Sequence, residues 1–150
     1  MNYRIPIIKL SVVRDGSLAT QERIERKISH SGHAARICRE MLQGEDREHF
    51  IALHLDSKNK VVSVETIAIG SLATCTIHPR EVFKAAIMRN SGRLIVCHNH
   101  PSGDPTPSEE DHALTNRLKQ AGELLGVPIL DHIIVGDEDQ YYSFADKGTL

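Results

Sequence analysis

The apolar run Leu94-Ile95-Val96-Cys97 passes without a polar break into His98-Asn99-His100-Pro101. Four consecutive apolar residues that follow the turn signal Ser91-Gly92 read as a buried strand. The chain therefore has to build a covered sheet around this strand, and it places two histidines at the strand's end. Side chains two residues apart on a strand point to the same side, so both imidazoles can reach one ion.

The surrounding sequence supplies the rest of such a sheet. Phe50, Ala52, His54 and Asp56 alternate with Ile51, Leu53 and Leu55, the turn residues Ser57-Lys58-Asn59-Lys60 follow, and Val61 to Ile69 reads as the returning strand. Pro79 opens a helix after His78, with Val82, Phe83, Ala86 and Ile87 as its expected buried face through about Arg89. Ser108 is placed to cap a helix beginning at Glu109, with Leu114, Leu118, Ala121 and Leu125 as the expected stripe and Gly126 as the stop. Ile129 to Val135 and Gln140 to Phe144 read as two further strands about the turn at 136–139. Upstream, Arg4 to Val13 is an extended apolar arm expected to lie against the domain or a partner, and Ser31 to Leu42 has helical spacing of Ala34, Ile37, Cys38, Met41 and Leu42. The order β-β-α-β-α-β-β after an arm and a helix predicts a mixed α/β fold. Residues 1–44 form the arm and helix and 45–150 the main domain, packed as one unit.

Composition excludes several classes. A net charge of −2 and the absence of a dense Lys/Arg run give no general attraction to nucleic acid. Cys38, Cys75 and Cys97 are odd in number and widely spaced, so neither a disulfide framework nor a thiolate zinc knuckle is expected. That usage points to the reducing cytoplasm. No apolar run approaches the roughly twenty residues that span a bilayer, and no secretory signal is evident, so no membrane partner is expected.

Asp111 would be the third residue of the capped helix, facing back toward the loop. His98, His100 and Asp111 then offer two nitrogens and a carboxylate oxygen, which leaves the fourth tetrahedral position of one Zn²⁺ open, as in catalytic sites. The competing structural roles are backbone hydrogen bonding by the histidines and a capping box between Ser108 and Asp111. His54, His78, His112 and His132 show no comparable partners and read as surface or core histidines. Cys97 reads as a packing thiol.

His98-Asn99-His100-Pro101, six residues, then Ser108-Glu109-Glu110-Asp111 resembles the JAMM pattern of metalloproteases with the MPN fold. With His78 to Lys84 and Asp131-His132-Ile133-Ile134-Val135-Gly136, the stretch from about Glu45 onward looks like the RadC-like JAB domain family. The resemblance implies a cytidine-deaminase-like sheet of the MPN/JAB type flanked by helices. It also implies zinc held by His98, His100 and Asp111, and an upstream glutamate acting as general base, with hydrolysis of a peptide or isopeptide bond. Glu48 and Glu65 are the candidates for that base; the resemblance favours Glu48, which opens a strand directly after a helix, where the JAMM glutamate stands in the family, whereas Glu65 lies inside the return strand. Ser108 is the candidate donor to the developing oxyanion. Asn99 stands where eukaryotic JAMM sequences more usually carry Ser, which argues against kinship with deubiquitinases. RadC proteins usually carry a helix-hairpin-helix region, and the N-terminal part here shows no Gly-containing hairpin of that type, so a short form is expected. The partner expected is a protein or peptide substrate, and nucleic acid enters only through the family's association with DNA repair. The remaining alternative is a noncatalytic MPN scaffold. A deaminase would need His-x-Glu and Pro-Cys-x-x-Cys, and neither is present.

Overall fold

The computed structural model describes residues 4–19, 25–70 and 77–150. Its elements are α1 (Ser31–Leu42), β1 (His49–Leu55), β2 (Val61–Ile69), α2 (Pro79–Met88), β3 (Arg93–Asn99), α3 (Glu109–Leu125), β4 (Ile129–Val135) and β5 (Tyr141–Ser143). Five strands form one mixed sheet in the order β2-β1-β3-β4-β5. β1 is antiparallel to both β2 and β3, β3 runs parallel to β4, and β5 returns antiparallel on β4. Parallel neighbours need a crossover. α3 supplies it between β3 and β4, so the crossover helix starts beside the end of β3 that carries the histidines.

Both faces of the sheet are covered, which is why its central strands have no polar side. On one face α1 packs Ala34, Ile37 and Cys38 against Ile51, Leu53, Ile95, Cys97 and Ile133. On the other, α2 and α3 pack Val82, Phe83, Leu114 and Leu118 against Phe50, Ala52, Leu94 and Val96. The matching alternation on β1 and β3 follows from their register, with Phe50 opposite His98 and Ala52 opposite Val96. Cys38 and Cys97 are buried thiols, and burial pushes the Cys97 thiol well above its ordinary range. Cys75 lies outside the described residues.

Three expectations from spacing are corrected. Ile87 is 53% exposed and does not join the buried face of α2, which consists of Val82, Phe83 and Ala86. Leu125 is likewise exposed, because the chain reverses at Gly126 and Val127 fills the core at that end of α3; Gly122 lies in the buried stripe beneath it. Of the two places expected for the arm, the domain or a partner, it does not take the first: Ile5, Ile7, Ile8 and Leu10 are all exposed, and residues 4–19 have no regular structure.

Candidate metal centre

His98 is the penultimate residue of β3, and His100 follows the strand. The loop after them is held in place by backbone: His100 N donates to Val135 O at 3.1 Å, Gly103 N to His100 O at 2.9 Å, and Asp137 N to Gly103 O at 2.8 Å. Gly103 adopts a left-handed φ of 84°, which a glycine takes without steric cost. Ser108 caps α3 in a reciprocal box. Asp111 N donates to Ser108 Oγ at 3.2 Å and Ser108 N donates to Asp111 Oδ2 at 2.7 Å. The box fixes the Asp111 carboxylate on the first turn, facing the histidines. Capping and ligand placement are thus the same structural feature here.

The three side chains converge. His98 Nε2 stands 3.0 Å from His100 Nε2 and 3.3 Å from Asp111 Oδ1, and His100 Nε2 stands 3.5 Å from Asp111 Oδ2. An ion bonded tetrahedrally at about 2.0–2.1 Å separates its ligand atoms by about 3.3 Å. His98 and His100 face different oxygens of Asp111, and one ligand atom from each of the three residues lies within 4.8 Å of the other two, close enough for all three to reach one ion. Among the described residues, His98, His100 and Asp111 form the one His/Cys/Asp/Glu group able to hold a metal ion. His98 and Asp111 are buried, and His100 is half-buried at the mouth.

The electrostatics place an ionised carboxylate between the two imidazoles. Burial pushes the His98 imidazole below its usual pKa, against the pull of Asp111. His100 is raised, chiefly by the Asp111 carboxylate beside it. For Asp111 itself, burial opposes ionisation, but the adjacent His100 and His98 imidazoles outweigh it and hold the carboxyl far below the ordinary range.

Two side chains stand behind the triangle: Thr115, which spacing does not single out, and His132, which is the core histidine its sequence allows but has hydrogen-bond partners that spacing does not show. His98 Nδ1 lies 2.9 Å from His132 Nε2, and His132 Nδ1 lies 2.6 Å from Thr115 Oγ1. Thr115 Oγ1 in turn donates to the Asp111 carbonyl at 2.6 Å. His132 is fully buried against the rings of Phe50 and Phe144, and burial drives its pKa well below the usual histidine value. The available signal was a histidine inside the otherwise apolar run of β4, since a buried imidazole requires a partner.

Glu48 directly precedes β1, and continuing the register from Phe50 opposite His98 brings it level with His100. Its charge acts on both histidines. Glu48, Arg47, Gly70 and Pro101 line an open cleft of about 480 Å³. Asn99 secures this strand start: its Oδ1 accepts from His49 N at 2.7 Å and its Nδ2 donates to Arg47 O at 2.8 Å, one bond on each side of Glu48. Glu65 lies in β2 opposite Ala52, and its Oε2 is 3.1 Å from His54 Nε2. His54 is buried and also meets Ser91 Oγ at 3.0 Å. His78 accepts from Arg80 N at the start of α2.

The fold and site define a mixed α/β domain of the JAB/MPN type with a His-His-Asp cluster at the end of its central strand. A family model described as the RadC-like JAB domain matches residues 28–149, a span that includes α1 as well as the sheet. The chain belongs to this RadC family. A UPF0758 protein of Desulforamulus reducens is 54% identical over 111 residues, covering 74% of this chain and 48% of the relative. Another, from Desulfitobacterium hafniense, is 43% identical over 134 residues, 89% of this chain and 59% of the relative. A third, from Methanosarcina mazei, is 46% identical over 129 residues, 86% of this chain and 56% of the relative. The chain thus spans about half the length of the curated relatives it matches. Among the described residues, no helix is long and apolar enough to cross a membrane.

Proposed function

We propose that this domain is a zinc-dependent hydrolase of amide bonds, peptide or isopeptide, with one Zn²⁺ held by His98, His100 and Asp111. The observation that carries the reading is the convergence of His98 Nε2 and His100 Nε2, 3.0 Å apart, on the Asp111 carboxylate, with Oδ1 3.3 Å from His98 and Oδ2 3.5 Å from His100. His100 Nδ1 faces only the Asp104 carbonyl, at 2.7 Å, and a carbonyl cannot donate, so Nδ1 carries the proton and neutral His100 turns a bare Nε2 to the centre. A carboxylate and a bare nitrogen this close call for a cation between them. A bound Zn²⁺ would supply Lewis acidity toward a carbonyl oxygen and lower the pKa of water toward neutrality.

The remaining steps belong to the chain's own groups. Glu48, beside His100 at the mouth of the cleft, accepts a proton from the attacking water and later delivers it to the leaving amine. Asn99 holds the backbone on either side of Glu48 and so limits its movement. Glu65 is a poor alternative because it is committed to His54 in the sheet's edge strand. Ser108 Oγ donates to Asp111 Oδ2 at 2.8 Å. We assign it the oxyanion contact as well, made when its proton turns away from Asp111 toward the cleft. The open cleft accepts an extended segment of a protein or peptide substrate.

The test compares zinc-loaded wild type with Glu48→Gln on peptide and isopeptide substrates. The variant is expected to retain zinc and to lose about 10²–10⁴-fold in kcat, the usual range for a general base. Full activity in Glu48→Gln would remove it from the mechanism. A zinc-loaded wild type that cleaves nothing, yet captures protein partners, would favour a noncatalytic module.

A further inference from the structure

We infer that His132 and Thr115 are positioning residues for the metal centre: through one continuous hydrogen-bond chain they fix His98 in the tautomer that presents a bare Nε2 to the ion. The inference rests on the proposed metal centre and concerns groups that do not touch the ion.

The chain of bonds allows one proton arrangement for neutral rings. It ends on the Asp111 carbonyl, which can only accept, so the single Thr115 hydroxyl proton points there. Toward His132 Nδ1, at 2.6 Å, Thr115 Oγ1 then offers a lone pair, so His132 carries its proton on Nδ1. The neutral His132 ring consequently has a bare Nε2. That nitrogen lies 2.9 Å from His98 Nδ1, so His98 must donate from Nδ1. With Nδ1 protonated, the His98 Nε2 lone pair faces His100 Nε2 and Asp111 Oδ1.

The chain is closed on itself, because Asp111 is both its terminal acceptor, through the backbone carbonyl, and a member of the triangle, through the carboxylate. Thr115 stands one turn after Asp111 on α3, and His132 lies on β4 beside β3. Three elements of the fold are therefore coupled through it: a shift of α3 relative to the β3–β4 pair would disturb both the tautomer and the carboxylate. Phe144 stacks on the His132 ring at a centroid distance of 4.9 Å and Phe50 meets it edge-on at 5.6 Å, so its orientation is set by packing as well as by hydrogen bonds. His100, at the more exposed corner, gains the same tautomer from the Asp104 carbonyl. The two histidines are thus set by separate devices, one in the core and one in the loop.

Outer partners of ligating histidines typically contribute 10–100-fold in metal affinity. The experiment measures Zn²⁺ affinity by chelator competition for wild type, His132→Phe, Thr115→Val and Thr115→Ser, together with the histidine tautomers of the metal-free wild type by ¹⁵N NMR. His98 and His132 are expected as Nδ1–H tautomers. His132→Phe should weaken zinc binding about 10–100-fold and Thr115→Val should weaken it in the same direction, while Thr115→Ser restores affinity. Unchanged affinity in folded His132→Phe and Thr115→Val, or an Nε2–H tautomer at His98, would overturn the inference and leave the metal centre standing. If His132→Phe does not fold, Thr115→Val and the tautomer spectrum decide. A folded wild type that takes up no zinc overturns the centre and this inference together.

Discussion

Ser108 and Asp111 show how one residue pair can serve local structure and chemistry together. The capping box was readable from Ser108 and an acidic residue three positions on, and so was Asp111 as a candidate ligand. What spacing could not show is that the same carboxylate oxygen, Oδ2, takes both the Ser108 backbone and hydroxyl protons. Removing the hydroxyl in Ser108→Ala is expected to cost about 1 kcal/mol of stability, a fall of about 3 °C in Tm. Zinc should still bind, while kcat falls if the hydroxyl also serves the oxyanion. A fall in Tm with unchanged kcat would reduce Ser108 to a cap. Asp131 offers a separate test at this scale. Burial raises its carboxyl above the ordinary range although Ser143 Oγ and Ala145 N both donate to it. Between the unfolded value, about 3.9, and the raised folded value, the native state holds more protons than the unfolded chain. Stability therefore falls as pH rises through that window. Thermal melts across acidic pH should show this slope in wild type and not in Asp131→Asn; parallel curves would contradict it.

At the scale of elements, the site depends on the close passage of two loops. A Cβ at Gly136 would meet the Gly103 carbonyl well inside van der Waals contact and Pro105 Cδ at 2.8 Å. Backbone cannot yield as a flexible side chain can, so Gly136→Ala should destabilise the domain by about 1–3 kcal/mol. It should also weaken zinc binding by shifting the loop that presents the Asp104 carbonyl to His100. A melt and a zinc titration on the purified variant check both, and unchanged values would show that the loops slide freely. The elements themselves were legible because their signals are local: β3 is a short unbroken apolar run after a turn, and α1 and α3 have helical stripes. The errors at Ile87 and Leu125 arose where helical spacing continues but the covering sheet does not. Periodicity identifies a face without showing how far its cover extends. The apolar arm misled for the same reason, since Ile5 to Leu10 are exposed despite their composition.

Over the whole molecule, the convergence of the candidate ligands was legible and the groups behind them were not. His98, His100 and Asp111 lie within fourteen residues, and a strand end, a loop and a helix start bring them together by short-range geometry. His132 and Thr115 join them only because β4 lies parallel to β3 and α3 crosses over the pair, which no local spacing records. The same distinction separates Glu48 from Glu65: both precede the ligands in sequence, but the antiparallel register of β1 on β3 carries only Glu48 toward His100. The RadC-like JAB fold thus gathers its candidate chemistry at one end of its central strand, with outer partners drawn from the crossover. The most direct test is elemental analysis of zinc in folded wild type and His98→Ala purified side by side. The account predicts about one zinc per chain in wild type, from the one cluster found among the described residues, and loss of it in His98→Ala. Folded wild type without zinc after loading, or zinc retained undiminished by folded His98→Ala, would contradict it.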